Sequence, residues 1–170
     1  MSSYVLKSLA PDERLVYAAT LHWIIYVQGL LFVAAGGLLA FFGPKLVTAI
    51  FTVQGAAEHL NKPIGIIAAL IVLSGLSLML GAYVRQSSTE LVVTNMRVVA
   101  KYGFVSRATF EIMINRVTGV NFDQTVGGRM LGYGTVIVRG AGSDFSPIDL
   151  ISDPQMFHNQ LMSVVEHSRR

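Results

Sequence analysis

Two long uncharged stretches dominate the first half of the chain. Leu21 to Phe42 reads LHWIIYVQGLLFVAAGGLLAFF, 22 residues without a formal charge. As a helix it extends about 33 Å, enough for a hydrocarbon core of about 30 Å. Ile64 to Val84 reads IGIIAALIVLSGLSLMLGAYV and is also uncharged. Each holds eleven or twelve Leu, Ile, Val or Phe, whose transfer into lipid outweighs the cost of Gln28, Ser74 and Ser77. The pattern predicts a transmembrane helical hairpin with spans 21–42 and 64–84. The alternative, two core helices of a soluble protein, leaves too little chain to cover them.

The joining loop, 43–63, is expected to begin where Gly43-Pro44 stops the first helix and to end where Asn61-Lys62-Pro63 starts the second. It is unusually apolar. Leu46, Val47, Ile50, Phe51 and Val53 fit one face of a short helix on the membrane surface, or an oligomer contact. His22, Trp23 and Tyr26 at one span end and Tyr83 at another fit the amphipathic belt of a membrane interface. A lone His at such a place serves as a headgroup neighbour or as a ligand. Small residues four apart (Gly36/Ala40, Gly65/Ala69, Ser77/Gly81) suit close helix packing within the hairpin or between protomers. The first span lacks a cationic leader and is too long for the core of a cleaved signal peptide.

Beyond Thr89 the period changes to two. Thr89–Val93, Met96–Tyr102, Val105–Met113, Val117–Gln124, Tyr133–Arg139 and Phe145–Ile151 read as six strands. The last is an edge strand, because Pro147 cannot donate to a ladder. Gly127 to Gly132 reads as a turn-like insert. Residues 13–20 offer a seventh strand or a helical extension of the first span. Ser152-Asp153-Pro154-Gln155 then reads as a capping box opening a helix over about 153–168. Phe157, Leu161, Val164 and Val165 form its apolar stripe, which must cover the mouth of a small antiparallel sheet or barrel.

Composition sharpens this division. The chain is 52% hydrophobic and 14% charged, against about 25% charged in soluble domains. Leu15 to Val84 holds only Lys45, Glu58 and Lys62 as formal charges, whereas Arg85 to Arg170 is normally charged. The organisation expected is an N-terminal segment 1–20, a hairpin 21–84 and a β domain 85–170. Lys7, Arg14, Arg85, Arg97 and Lys101 flank the spans, against Lys45 and Lys62 in the loop. That bias puts both termini in the cytoplasm. A net charge of +3 without a basic run longer than Arg169-Arg170 gives no reason to expect nucleic acid.

Little chemistry is in evidence. There is no Cys, which excludes disulfides and thiolate chemistry. G-x-S-x-G does not occur, and the four His share no metal-ligand spacing with Asp or Glu. No ionisable residue lies at mid-span, so a proton or ion pathway is not expected. No enzyme activity, metal or cofactor is expected.

Several stretches carry a resemblance. Ser8 to Glu13 leads to Leu21-His22-Trp23, followed by Glu90 to Arg97 (ELVVTNMR). Gly128-Arg129-Met130-Leu131-Gly132-Tyr133-Gly134 and Asp153-Pro154 come later. The most specific pieces are this glycine run and Thr94-Asn95-x-Arg97. The chain resembles the bacterial pleckstrin-homology (PH) domain family that carries two N-terminal transmembrane helices. The resemblance implies a PH-like β-sandwich or barrel of about seven antiparallel strands, closed by a C-terminal helix and held at the bacterial cytoplasmic membrane. It implies no established activity.

Two uses follow as expectations. The first is a scaffold that oligomerises or docks envelope proteins, through the Phe145–Ile151 edge (Phe145, Ile148) and the Met130-Leu131-Tyr133 turn. Phe104, Met130 and Leu131 are alternatively plain core. The second is an anionic-lipid sensor using Arg97, Lys101 and Arg129. Arg97 and Lys101 share a strand face. Arg129 sits among backbone N–H groups that suit an anion, or it fixes its turn by bonding carbonyls. A third is an accessory subunit of a larger membrane complex, docked through the hairpin.

Overall fold

The computed structural model describes residues 9–50, 54–103, 108–141, 143–144 and 147–168. They form two compact units. One is Trp23–Tyr83; the other joins the chain before and including His22 to the chain from Val84 onward.

The second unit is a β-sandwich of two four-stranded sheets. β1 (Leu15–Ala19), β2 (Glu90–Thr94), β3 (Arg97–Tyr102) and β4 (Ala108–Met113) form one antiparallel sheet in that order. β5 (Val117–Asp123), β6 (Tyr133–Gly140), β7 (Ser143–Asp144) and β8 (Ile148–Ser152) form the other, with β6 between β5 and the pair β7 and β8. Residues 15–19 are therefore strand, not a helical extension. β1 pairs with β2, with Ala19 opposite Leu91 and Leu15 opposite Thr94. The hairpin is thus inserted between two neighbouring strands of one sheet.

Alternation explains which side chains meet. Val98 and Ala100 of β3 and Ile112 of β4 are buried. Val92 and Val99, opposite each other on β2 and β3, form a separate buried cluster that Leu9 packs against. β2 is consequently buried on both faces, which suits its run of apolar residues. A C-terminal helix, Pro154–Ser168, covers the sandwich. Phe157, Leu161 and Val165 are all buried, worth roughly 1.5–3 kcal/mol each. Val164 is half-buried beside them. The Phe157 ring meets Tyr17 of β1 edge-on at 6.2 Å. The helix begins one residue later than a Ser152 cap requires: Ser152 closes β8, and Asp153, at φ +48°, accepts from the Phe157 N–H.

Of the strand expected over 145–151, β8 supplies the part from Ile148, just after Pro147, while β7 lies before that stretch. β8 is not an open edge. Leu21 bridges to Ile151, the His22 N–H donates to the Leu150 carbonyl, and the Ser152 N–H donates to the Thr20 carbonyl. Ile148, expected to face a partner, is core, because its register opposite Val136 turns it inward. Phe145, Phe104, Phe51, Val53 and the terminal arginines lie outside the described residues.

In the hairpin unit a 3₁₀ turn, Trp23–Tyr26, leads into α1 (Val27–Ile50); α2 runs from Gln54 to Ser88. Two helical stretches, Trp23–Ala49 and His59–Ser88, of 27 and 30 residues, are long and apolar enough to cross a membrane. The predicted loop 43–63 is mostly helix, with Pro44 and Pro63 inside the two elements. A proline removes one helical bond and bends the axis rather than ending it when apolar helix formers continue on both sides. Here Leu46 and Val47 follow Pro44, and Leu60 precedes Pro63.

The small residues pack differently from the four-residue pattern. Gly29, Gly36 and Gly43 recur every seven residues and face α2. A Cβ on Gly36 would stand 2.7 Å from a Val72 methyl and 3.0 Å from the Ala68 carbonyl. Gly65 and Gly81 border open space, and Ala40, Ala69 and Ser77 are exposed. The contact follows the heptad because positions seven apart return to the same helix face after two turns.

Gly36→Val is therefore expected to lower the melting temperature of the detergent-purified protein by several degrees, while Gly65→Val leaves it unchanged. Equal melting of the two variants counts against this helix contact.

Candidate functional site

The β2–β3 turn is the most polar interior place in the β unit. Thr94 is fully buried, and its hydroxyl oxygen accepts from the backbone N–H of Arg97 at 3.0 Å and of Met96 at 3.3 Å. Such a side-chain turn is what Thr and Asn supply locally. The Thr94 hydroxyl also reaches Glu13 Oε1 at 2.8 Å. Asn95 holds the N-terminal segment with its whole side chain: Oδ1 accepts from the Arg14 N–H at 2.7 Å, and Nδ2 donates to the Asp12 carbonyl at 3.1 Å.

Arg97 completes the clasp. Its Nε and Nη2 donate to the two oxygens of Glu13, each at 2.8 Å, and Nη1 donates to Glu111 at 2.8 Å. Glu13 also accepts from the Ala10 N–H at 3.0 Å. Its side chain is 1% exposed and that of Arg97 is 21%. Burial alone raises the Glu13 carboxyl; bonds from Arg97, Ala10 and Thr94, with the Arg97 charge, together outweigh it and hold the group below the usual carboxylate value. The bond to Glu13 chiefly, with help from Glu111, raises the already high Arg97 value.

The three candidate lipid contacts therefore separate. Arg97 sits at the end of the sheet away from Glu90, spent on two carboxylates. Lys101 is half-buried at the opposite end, in register with Glu90, an opposite-charge cross-strand pair. Arg129 is exposed on a short helix, α3 (Val126–Leu131), in the other sheet's β5–β6 connection. It borders an open groove with Gln124, Asp153 and Asn159.

That helix replaces the expected turn. Thr125 caps it, accepting from the Gly128 N–H at 3.0 Å, and Gly132 ends it at φ +78°. Two adjacent glycines disguise a helix whose cap residue lies just before them. Gly128 and Gly134 permit close backbone approach: a Cβ on either would stand 2.6 Å from a carbonyl oxygen, of Tyr133 and Asp123 respectively. Tyr133 is half-buried with its ring 5.5 Å from that of His22. Met130 and Leu131 are exposed, so neither is core. Trp23 and Tyr83 are exposed on the hairpin unit, and Tyr26 is half-buried there.

Sequence reasoning found both halves of the clasp as separate motifs and missed that they meet. The available signal was charge complementarity: an acid in the first motif, an arginine in the second. Among the described residues no three His, Asp or Glu side chains converge as metal ligands.

The sequence profile of the bacterial PH domain family matches residues 30–163. No curated protein and no solved structure matches the chain.

Arg97→Met is expected to cost about 3 kcal/mol, since the buried Glu13 carboxylate loses its counter-charge, and Glu13→Gln less, since Arg97 is partly exposed and keeps Glu111. The double variant should cost less than the sum, as denaturant titration will show. Because the folded Glu13 value is depressed, its contribution is complete above the unfolded carboxylate value and lost as pH falls through the folded one. Glu13→Gln should flatten the acid limb of a stability-against-pH curve.

Proposed function

Because the chain belongs to the bacterial PH-domain family, we propose that it is a membrane-anchored binding module that docks proteins rather than gripping a lipid headgroup in a site built from Arg97, Lys101 and Arg129. In this reading α1 and α2 cross the bacterial cytoplasmic membrane, and the charge bias keeps both termini in the cytoplasm. The β unit is then a scaffold for a second copy of the chain or for another membrane protein. Nothing in the sequence or fold points to enzymatic activity.

One observation carries the choice. A headgroup site needs uncommitted cations gathered in one place. Arg97, the best placed of the three, already neutralises the buried Glu13 and also bonds Glu111. Lys101 stands on β3 of one sheet, and Arg129 on α3, in a connection of the other.

The surface offered to a protein also differs from the sequence expectation. With β8 covered by Thr20–His22, the outer side of β4 becomes the better edge. Among the described residues β4 pairs only with β3, and Glu111 and Met113 are exposed along it. An open edge with an apolar side chain is a site for strand addition.

The mass of the protein extracted in native membrane discs tests this. A species heavier than one 18.5 kDa chain is expected, and Thr109→Lys with Met113→Lys should reduce it to one chain. A single chain without partner in the unaltered protein overturns the proposal.

A further inference from the structure

The β5–β6 connection carries an apolar surface that the docking reading does not use. Val126 and Met130 are 81% and 82% exposed, and Leu131 is exposed beside them. Positions four apart share a helix face, so Val126 and Met130 form one apolar face on α3. Arg129 is the only formal charge in the helix.

Strand register fixes where this face lies within the β unit. Ala19 is opposite Leu91, next to Glu90, where the chain returns from α2. Leu21 bridges to Ile151, which is also opposite Gly134 at the start of β6. Gln86 donates to the Leu21 carbonyl at 3.2 Å, tying the departing chain to the returning one. Tyr133 packs on His22, the last residue before the hairpin unit. The α3 helix follows directly, with a Cβ on Gly127 standing 3.6 Å from the Tyr133 hydroxyl. It therefore sits at the end of the β unit through which the chain leaves and returns. Asn95 lies at the far end of β2 and borders a cleft with Ser163.

We infer that α3 is a membrane-contacting wedge: Val126 and Met130 enter the interfacial layer of the bilayer, and Arg129 meets its anionic headgroups. The inference rests on the reading that the hairpin crosses that bilayer. An apolar face flanked by a cation is the composition that binds an anionic interface. The surface is tethered by one residue, His22, to the segment that enters the membrane.

A chain without cysteine makes the test direct. The full-length protein carries an environment-sensitive fluorophore on Met130→Cys, Leu73→Cys or Ser163→Cys, all exposed positions. Each is placed in phosphatidylcholine–phosphatidylglycerol vesicles containing brominated lipid. Quenching is expected at 73 and 130 but not at 163, and adding Val126→Asp and Arg129→Glu should abolish it at 130 while the melting temperature holds. Quenching at 73 with none at 130 overturns the wedge and leaves the hairpin reading standing. No quenching at 73 overturns both. A blue shift at 130 without bromolipid quenching assigns the face to a protein and also overturns the inference.

Discussion

The structure depends on holding β1 against β2 across an insertion of about seventy residues. Closing a flexible loop of that length costs on the order of 4 kcal/mol, apart from a constant. A five-residue edge strand alone is a weak device for this. The clasp at its outer end answers the problem. Glu13 receives Arg97, Thr94 and a backbone N–H, while Asn95 grips the backbone of Asp12 and Arg14. At the other end Leu21 stitches the same segment to the second sheet. The N-terminal segment is thus a seam joining both sheets.

That seam redistributes the basic residues. The Thr-Asn-x-Arg turn has the composition of an anion grip, yet its anion is internal: the Glu13 carboxylate. A lipid phosphate would compete with a nearly inaccessible partner held by four donors. Lys101, on β3, and Arg129, on α3, remain outside the clasp and apart from each other. Within the β unit, exposed apolar residues include Val126 and Met130 on α3 and Phe110 and Met113 on β4.

Composition and period made the large features legible. The two long helices stand out because their sequences carry no polar face over more than twenty residues. The C-terminal stripe stands out because Phe157, Leu161 and Val165 keep a helical period against one surface. Less was readable where a local rule met tertiary context. Pro44 and Pro63 looked like ends because propensity counts a lost bond and not the apolar run beyond it. Gly127-Gly128 hid a helix whose cap is Thr125. Small residues four apart drew attention from the heptad of Gly29, Gly36 and Gly43 that makes the contact. Pro147 marks the whole segment as edge and so hides the burial of Ile148, whereas β8 is bordered by β6 and by Leu21. The Glu13–Arg97 pair spans 84 positions, and no local pattern reports a contact of that separation.

The insertion point has a bearing on biogenesis. β1 leaves the ribosome before either span exists and stays unpaired until β2 has been made. If the hairpin crosses the bilayer as proposed, the two strands meet only when its helices are threaded as a pair, so that departure and return share one compartment. A chain with one helix misthreaded would strand Glu13 and Arg97 on opposite faces of the bilayer. Completion of the sandwich thereby checks the topology of the segment that interrupts it.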